Sequence, residues 1–76
     1  MQGSRILIVD DERVIADSLA LILEKQGYES RAAYSAEEAL EIIAQWPPKV
    51  AILDVMLPGK SGIDLAITIR SAYPEI

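Results

Sequence analysis

The sequence predicts an α/β fold, a parallel β-sheet with helices laid across it in the order β-α-β-α-β-α. Three observations carry that expectation. Two short apolar runs with little alternation, "RILIVD" and "KVAILD", have the look of strands covered on both faces. Stretches with apolar residues at helical spacing lie between and after the strand candidates. The punctuation between them is short and falls where helices start and stop. Alternating units of this kind build parallel sheets with right-handed crossovers.

The first strand is expected over Arg5–Asp10, after a disordered lead-in at residues 1–4. A helix follows from Glu12 to Gln26, where Ile15, Leu19, Ile22 and Leu23 share one face. Gly27 stands where the residue after a helix adopts a left-handed conformation. "ESRAAY", Glu29 to Tyr34, is more polar and suits an edge strand. Ser35 opens the second helix as a cap, with Glu38 placed to reach back in a capping box. Ala39, Leu40 and Ile43 form the apolar side of that helix, and Pro47-Pro48 ends it. The third strand is expected over Lys49–Asp54. The third helix begins after Ser61 or Gly62, turns Leu65, Ala66 and Ile69 toward the sheet, and stops at Pro74. The arrangement that best fits is a flavodoxin-like doubly wound sheet whose strand order starts 2-1-3, which makes the first and third strands neighbours.

Composition narrows the chemistry. The chain has 76 residues, 51% of them hydrophobic and 25% charged, a globular balance in one small domain. Acids outnumber bases twelve to seven, for a formal charge of −5. That balance argues against a nucleic-acid surface in this segment and against an anionic membrane as partner. With no cysteine and no histidine, disulfides, thiolate metal sites, imidazole ligands and a histidine general base are all excluded. The N-terminal apolar run is too short for a signal peptide or membrane span, so a cytoplasmic location is expected.

Against that background the stretch "VAILDVMLPG", residues 50–59, poses a problem: eight of its ten residues are apolar or proline, and Asp54 sits among them. An ionised carboxylate buried without partners is costly. Asp10 closes the first strand as Asp54 closes the third, and Asp11 follows. In an open parallel sheet the C-terminal strand ends line the ligand crevice, at the point where the strand order switches. The three acids should therefore converge. Crowded carboxylates stay ionised when a cation joins them, and an all-oxygen set suits a hard ion such as Mg2+. Taken singly, each acid has a plainer explanation: Asp10 or Asp11 as a helix cap, Asp54 in a turn hydrogen bond. Those explanations leave unaccounted why both neighbouring strands finish in acid.

"ILIVDDE" before a helix, with "AILDVMLPGKSGIDL" after a third strand, resembles the receiver domain of two-component response regulators. The likeness rests on an acid pair after the first strand, an Asp ending the third, a Pro four residues later and a Gly eight residues later, and runs from Arg5 to the end. It implies that Asp54 is the phosphoacceptor, attacking a phosphoryl group carried on the histidine of a sensor histidine kinase or phosphotransfer protein. It further implies that Asp11 and Asp54 ligate Mg2+ directly, that the backbone carbonyl of Met56 is another ligand, and that Asp10 acts through a metal-bound water. Pro58 and Gly62 look like structural residues of the loop. Kinases of this family dock near the first helix.

The chain departs from the family pattern at its end. The family has five strands and five helices, so residues 1–76 resemble a partial receiver, without strands 4 and 5, helices 4 and 5, the Ser or Thr ending strand 4 and the Lys ending strand 5. Lys60 is read as a solvated loop charge and not as a substitute for that Lys. The expectation that follows is a phosphoacceptor impaired in this chain, or a binding or decoy module acting without phosphorylation. A second is self-association, domain swapping or poor folding through an exposed third-strand edge. A DNA-binding output domain would lie outside this segment. An enzyme is not expected: the D-x-D of aspartyl phosphatases is missing, since Asp10 and Asp11 are adjacent and Arg13 stands two past Asp11. No G-x-G-x-x-G follows the first strand for a dinucleotide.

Overall fold

In the computed structural model of the chain, which describes residues 3–59 and 61–76, the most apolar segment takes the centre. β1 (Arg5–Val9) lies between β2 (Glu29–Ala33) and β3 (Val50–Leu53) in one parallel sheet of order β2-β1-β3. Ile6 to Val9 are all buried, as an apolar run without alternation requires when both faces are covered. The more polar β2 is an edge, as expected. Each strand is one or two residues shorter than the sequence pattern suggested: Asp10, Lys49 and Asp54 each keep a single backbone bond to the neighbouring strand just outside the strand limits, and Tyr34 lies one residue past β2.

Among the described residues three helices cover the two faces. α1 (Arg13–Lys25) packs on one, and α2 (Ala36–Gln45) with α3 (Gly62–Ala72) packs on the other. The alternation of β1 explains the division. Ile6 and Ile8 face Ala16, Leu19 and Leu23 of α1, whereas Leu7 and Val9 join Ala39 and Ile43 of α2 and Leu65 and Ile69 of α3.

The helix boundaries follow their punctuation. The N–H of Glu38 bonds to the Ser35 hydroxyl oxygen at 3.1 Å, capping α2. Gly27 follows the C-cap of α1 with φ of 97°, the left-handed conformation anticipated for it. Of the expected lead-in, Met1 and Gln2 lie outside the described residues. Gly3 donates its N–H to the Gly27 carbonyl and Ser4 accepts from Glu29, extending the β1–β2 contact.

Two helix faces differ from the expected ones. On α1, Ala16 is fully buried and Leu19 and Leu23 are half-buried, but Ile15 and Ile22 are 49% and 56% exposed. The helix leans toward β2: the Ser30 hydroxyl donates to the Ala20 carbonyl, and the Tyr34 phenol to Asp17. That lean turns the Ile15–Ile22 flank past the covered part of the sheet. On α3, Leu65 and Ile69 are buried as anticipated, while Ala66 is exposed beside β3. Among the described residues no helix is long and apolar enough to cross a membrane.

Leu7 is the centre of the larger core and fully buried. Leu7→Ala is expected to lower the free energy of unfolding by about 2–5 kcal/mol. Ser35→Ala, which removes one cap, is expected to lower it by about 1 kcal/mol. Urea titration followed by far-ultraviolet circular dichroism ranks them. A larger loss for Ser35→Ala would contradict the placement of the core.

Candidate metal and acceptor site

The ladders of the sheet run one residue past the strand ends, and that extra rung places the acids. The N–H of Asp10 donates to the Ala33 carbonyl at 3.0 Å, and the N–H of Asp54 to the Val9 carbonyl at 2.8 Å. Asp10 and Asp54 are thus fixed at the C-terminal ends of adjacent strands, with Val9 paired to Leu53 in register. Asp11 is the next residue along, and α1 begins two residues later with its positive end at the same edge.

The outcome is the predicted convergence. Asp10, Asp11 and Asp54 each offer a carboxylate oxygen, and these oxygens lie within 4.8 Å of one another. Asp10 and Asp54 are half-buried and Asp11 is exposed. The cost of Asp54 in its apolar stretch is avoided because the residue stands at the rim of the core.

The plainer roles of these acids are also present. Asp10 Oδ1 accepts from the Glu12 N–H at 3.0 Å, turning the chain into α1. Asp54 Oδ1 accepts from the Met56 N–H at 3.2 Å, shaping the following turn. Each of these bonds occupies one oxygen of a group that has two. The turn bond therefore orients the carboxylate and leaves its second oxygen for another partner. Local turn chemistry and cation binding are compatible at the same residue.

Three carboxylates at a partly wet edge, with no nitrogen or sulfur donor among them, fit a hard divalent cation that keeps some of its water. Met56 follows Asp54 by two residues, with its side chain 79% exposed. Pro58 is exposed and Leu57 is buried, anchoring the loop to the core. Lys60 lies outside the described residues.

Gly62 has a sharper role than loop shaping. Its N–H donates to the Val55 carbonyl at 2.8 Å. A Cβ there would overlap the Asp54 carbonyl oxygen and would lie 2.7 Å from the Asp54 carbonyl carbon and 2.9 Å from the Val55 Cα. The first turn of α3 thus rests directly on the backbone of the acid, and only hydrogen fits between them. Ser61 caps the helix by accepting from the Asp64 N–H at 3.1 Å.

A second group adjoins this edge and escaped the sequence reading. Tyr34, one residue past β2, donates its hydroxyl proton to Asp17, and the Arg13 guanidinium carbon lies 4.1 Å from the centre of its ring. The Asp17 hydrogen bond pushes the phenol above its ordinary value, with desolvation and the Asp17 charge adding and Arg13 opposing. The available signals were the spacing of Arg13 and Asp17 by four on one helix and the place of Tyr34 at the end of a strand beside the first.

Comparison with known proteins agrees with this geometry. Residues 6–76 match the family described as response regulator receiver domain. The chain is 38% identical to NtrX from Brucella abortus, solved in complex with ATP, with a TM-score of 0.93 over 99% of this chain and 17% of that one. It is 39% identical to the response regulator protein TrrA from Thermotoga maritima, solved in complex with Mg(2+)-BeF, with a TM-score of 0.86 over 97% of this chain and 63% of that one. A putative response regulator from Chloroflexus aurantiacus shows 40% identity and a TM-score of 0.87 over 97% of this chain and 61% of that one. The chain thus spans about six-tenths of the shorter proteins and a sixth of NtrX.

Gly62→Ala is expected to cost about 1–3 kcal/mol of stability through overpacking and to displace the Asp54–Val55 backbone. Urea unfolding and the amide spectrum of residues 54–56 report both effects. A variant of unchanged stability and unchanged spectrum would show that the close approach is absent.

Proposed function

Because the chain belongs to the receiver domains of response regulators, we propose that it is the phosphoacceptor module of a two-component phosphorelay. On this reading it takes a phosphoryl group from the histidine of a sensor kinase or phosphotransfer protein onto Asp54. The observation that supports the reading best is the meeting of Asp10, Asp11 and Asp54 at one sheet edge.

Each residue has a task in the transfer. The Met56 N–H holds Asp54 Oδ1, so the other carboxylate oxygen is the nucleophile. An O–P bond forms on Asp54 as the N–P bond of the phosphohistidine breaks, the pair returning to the imidazole nitrogen. The product is an acyl phosphate. Asp11, exposed and with a carboxylate oxygen within 4.8 Å of the other two, is assigned as a direct Mg2+ ligand together with Asp54 and the Met56 backbone carbonyl. Asp10, tied to the Glu12 N–H, is assigned as a support acting through a bound water. Mg2+ held there supplies positive charge to the phosphoryl oxygens, where such transfers gain much of their rate. Gly62 and Pro58 keep the loop in place around the acceptor. The exposed side of α1, with Val14 at 79% exposure, is the face offered to the donor protein. The chain is modified once per event and does not turn over a substrate, so it acts as a signalling partner in the cytoplasm and not as an enzyme.

Incubation with acetyl phosphate and Mg2+, followed by intact-mass measurement, tests the proposal. A phosphoryl mass gain is expected that is absent in Asp54→Asn, absent in chelator, and at least about tenfold slower in Asp11→Asn. A gain that persists in Asp54→Asn would move the acceptor elsewhere. No gain in the parent chain would favour a module that binds without accepting phosphate.

A further inference from the structure

Arg13 is placed against local preference. It opens α1, in a first turn that holds no acid, and a cation at a helix N-terminus opposes the positive end of the dipole. Among the described residues the one ion pair is that of Arg5 with Glu29, so the Arg13 guanidinium has no carboxylate partner. Yet it stands two residues past Asp11 and three past Asp10, both in the turn that leads into the helix. A long, always charged side chain in that place has two acids of the site as its nearest counter-ions. A guanidinium seated on them would occupy carboxylate oxygens that a metal needs. Being tethered to the same chain, it would compete at high effective concentration.

What Arg13 touches instead is Tyr34. Its guanidinium carbon lies 4.1 Å from the centre of the ring, which is cation–π contact. The ring is held in turn. Its phenol donates to Asp17, four residues beyond Arg13 and so on the same side of α1. The ring also lies on the side away from the acceptor. In the sheet order β2-β1-β3, Tyr34 stands just past β2 and Asp54 just past β3, with Asp10 between them at the end of β1. Stacking on Tyr34 therefore draws the guanidinium toward β2 and away from Asp54. Both contacts lie between α1 and the end of β2.

We propose that Tyr34 is a positioning residue: its ring, fixed by Asp17, holds Arg13 off Asp10 and Asp11 and so leaves the three carboxylates open to a divalent cation. The proposal rests on the metal-assisted reading of the site given above. Two partners compete for one guanidinium. An aromatic face and an exposed carboxylate offer an arginine comparable stabilisation at a wet surface. With the ring removed, the carboxylates win the arginine, and Mg2+ has to displace it in order to bind. A residue that breaks a local preference beside a site and is then tied down by a second pair of side chains fits that role.

Magnesium titration of the parent chain, Tyr34→Ala, Arg13→Ala and the double variant, followed through the amides of residues 10–12 and 54–56, tests this. Tyr34→Ala is expected to weaken Mg2+ binding about two- to fivefold. In the Arg13→Ala background the same substitution is expected to change nothing, because no arginine is left to compete. An equal loss in both backgrounds would make Tyr34 a structural residue only and overturn the proposal, as would an unchanged affinity in Tyr34→Ala. A second readout needs neither variant nor metal: the Arg13 side-chain protons of the parent are expected upfield of their usual positions, shielded by the Tyr34 ring. Ordinary shifts there, in a chain that binds Mg2+, would overturn the proposal alone. Shielded Arg13 protons in a parent that gives no response to Mg2+ would overturn the metal reading, and the proposal with it.

Discussion

The parallel pairing of β3 with β1 is the constraint on which the rest of the molecule depends. It is made by a strand of four residues, Val50–Leu53, continued by one further rung from the Asp54 N–H to the Val9 carbonyl. That rung turns a sequence separation of more than forty residues into a distance that one cation can span. Shifting the register by one residue would send the apolar residues of β3 to the wrong faces and aim Asp54 away from Asp10 and Asp11. The same pairing thus builds the core and assembles the site.

Around that pairing the chain resolves a conflict between burial and charge. The acids follow directly upon the most buried residues of the sheet, since Val9 and Leu7 have almost no exposure. They stay at the rim because the strands end there and the backbone turns away. Asp10 and Asp54 each help to make their own turn by accepting a backbone N–H. The turn after Asp54 is then closed from the far side by Gly62, whose missing side chain lets α3 come to rest on it. Positioning of the carboxylate and termination of the strand are one set of interactions.

Much of this was legible in the residues. Element order follows from apolar runs and helical spacing, and Gly27 and Ser35 take the conformations their types suggest. The acids could be placed because strand ends in a parallel sheet share an edge. Helix periodicity was less informative about coverage. Ile15 and Ile22 share an arc with Leu19, but which part of an arc is covered depends on how the helix leans, and bonds from Ser30 and Tyr34 decide that. Ala66 is exposed for a comparable reason, because α3 stands over β3, which among the described residues is paired on one side. Gly62 reads from sequence as a loop residue. Its contact with the Asp54 backbone belongs to the tertiary fold and leaves no local pattern. The Arg13–Tyr34–Asp17 group joins two elements across the sheet edge and is invisible for the same reason.

The most direct test of the account is a magnesium titration of the isotopically labelled chain, followed through its backbone amides. If the two strand ends form one site, the amides of residues 10–12 and 54–56 move together and fit a single dissociation constant. Movement confined to one of the two loops, or two unrelated constants, would contradict the claim that adjacent strand ends bring the acids into a common pocket.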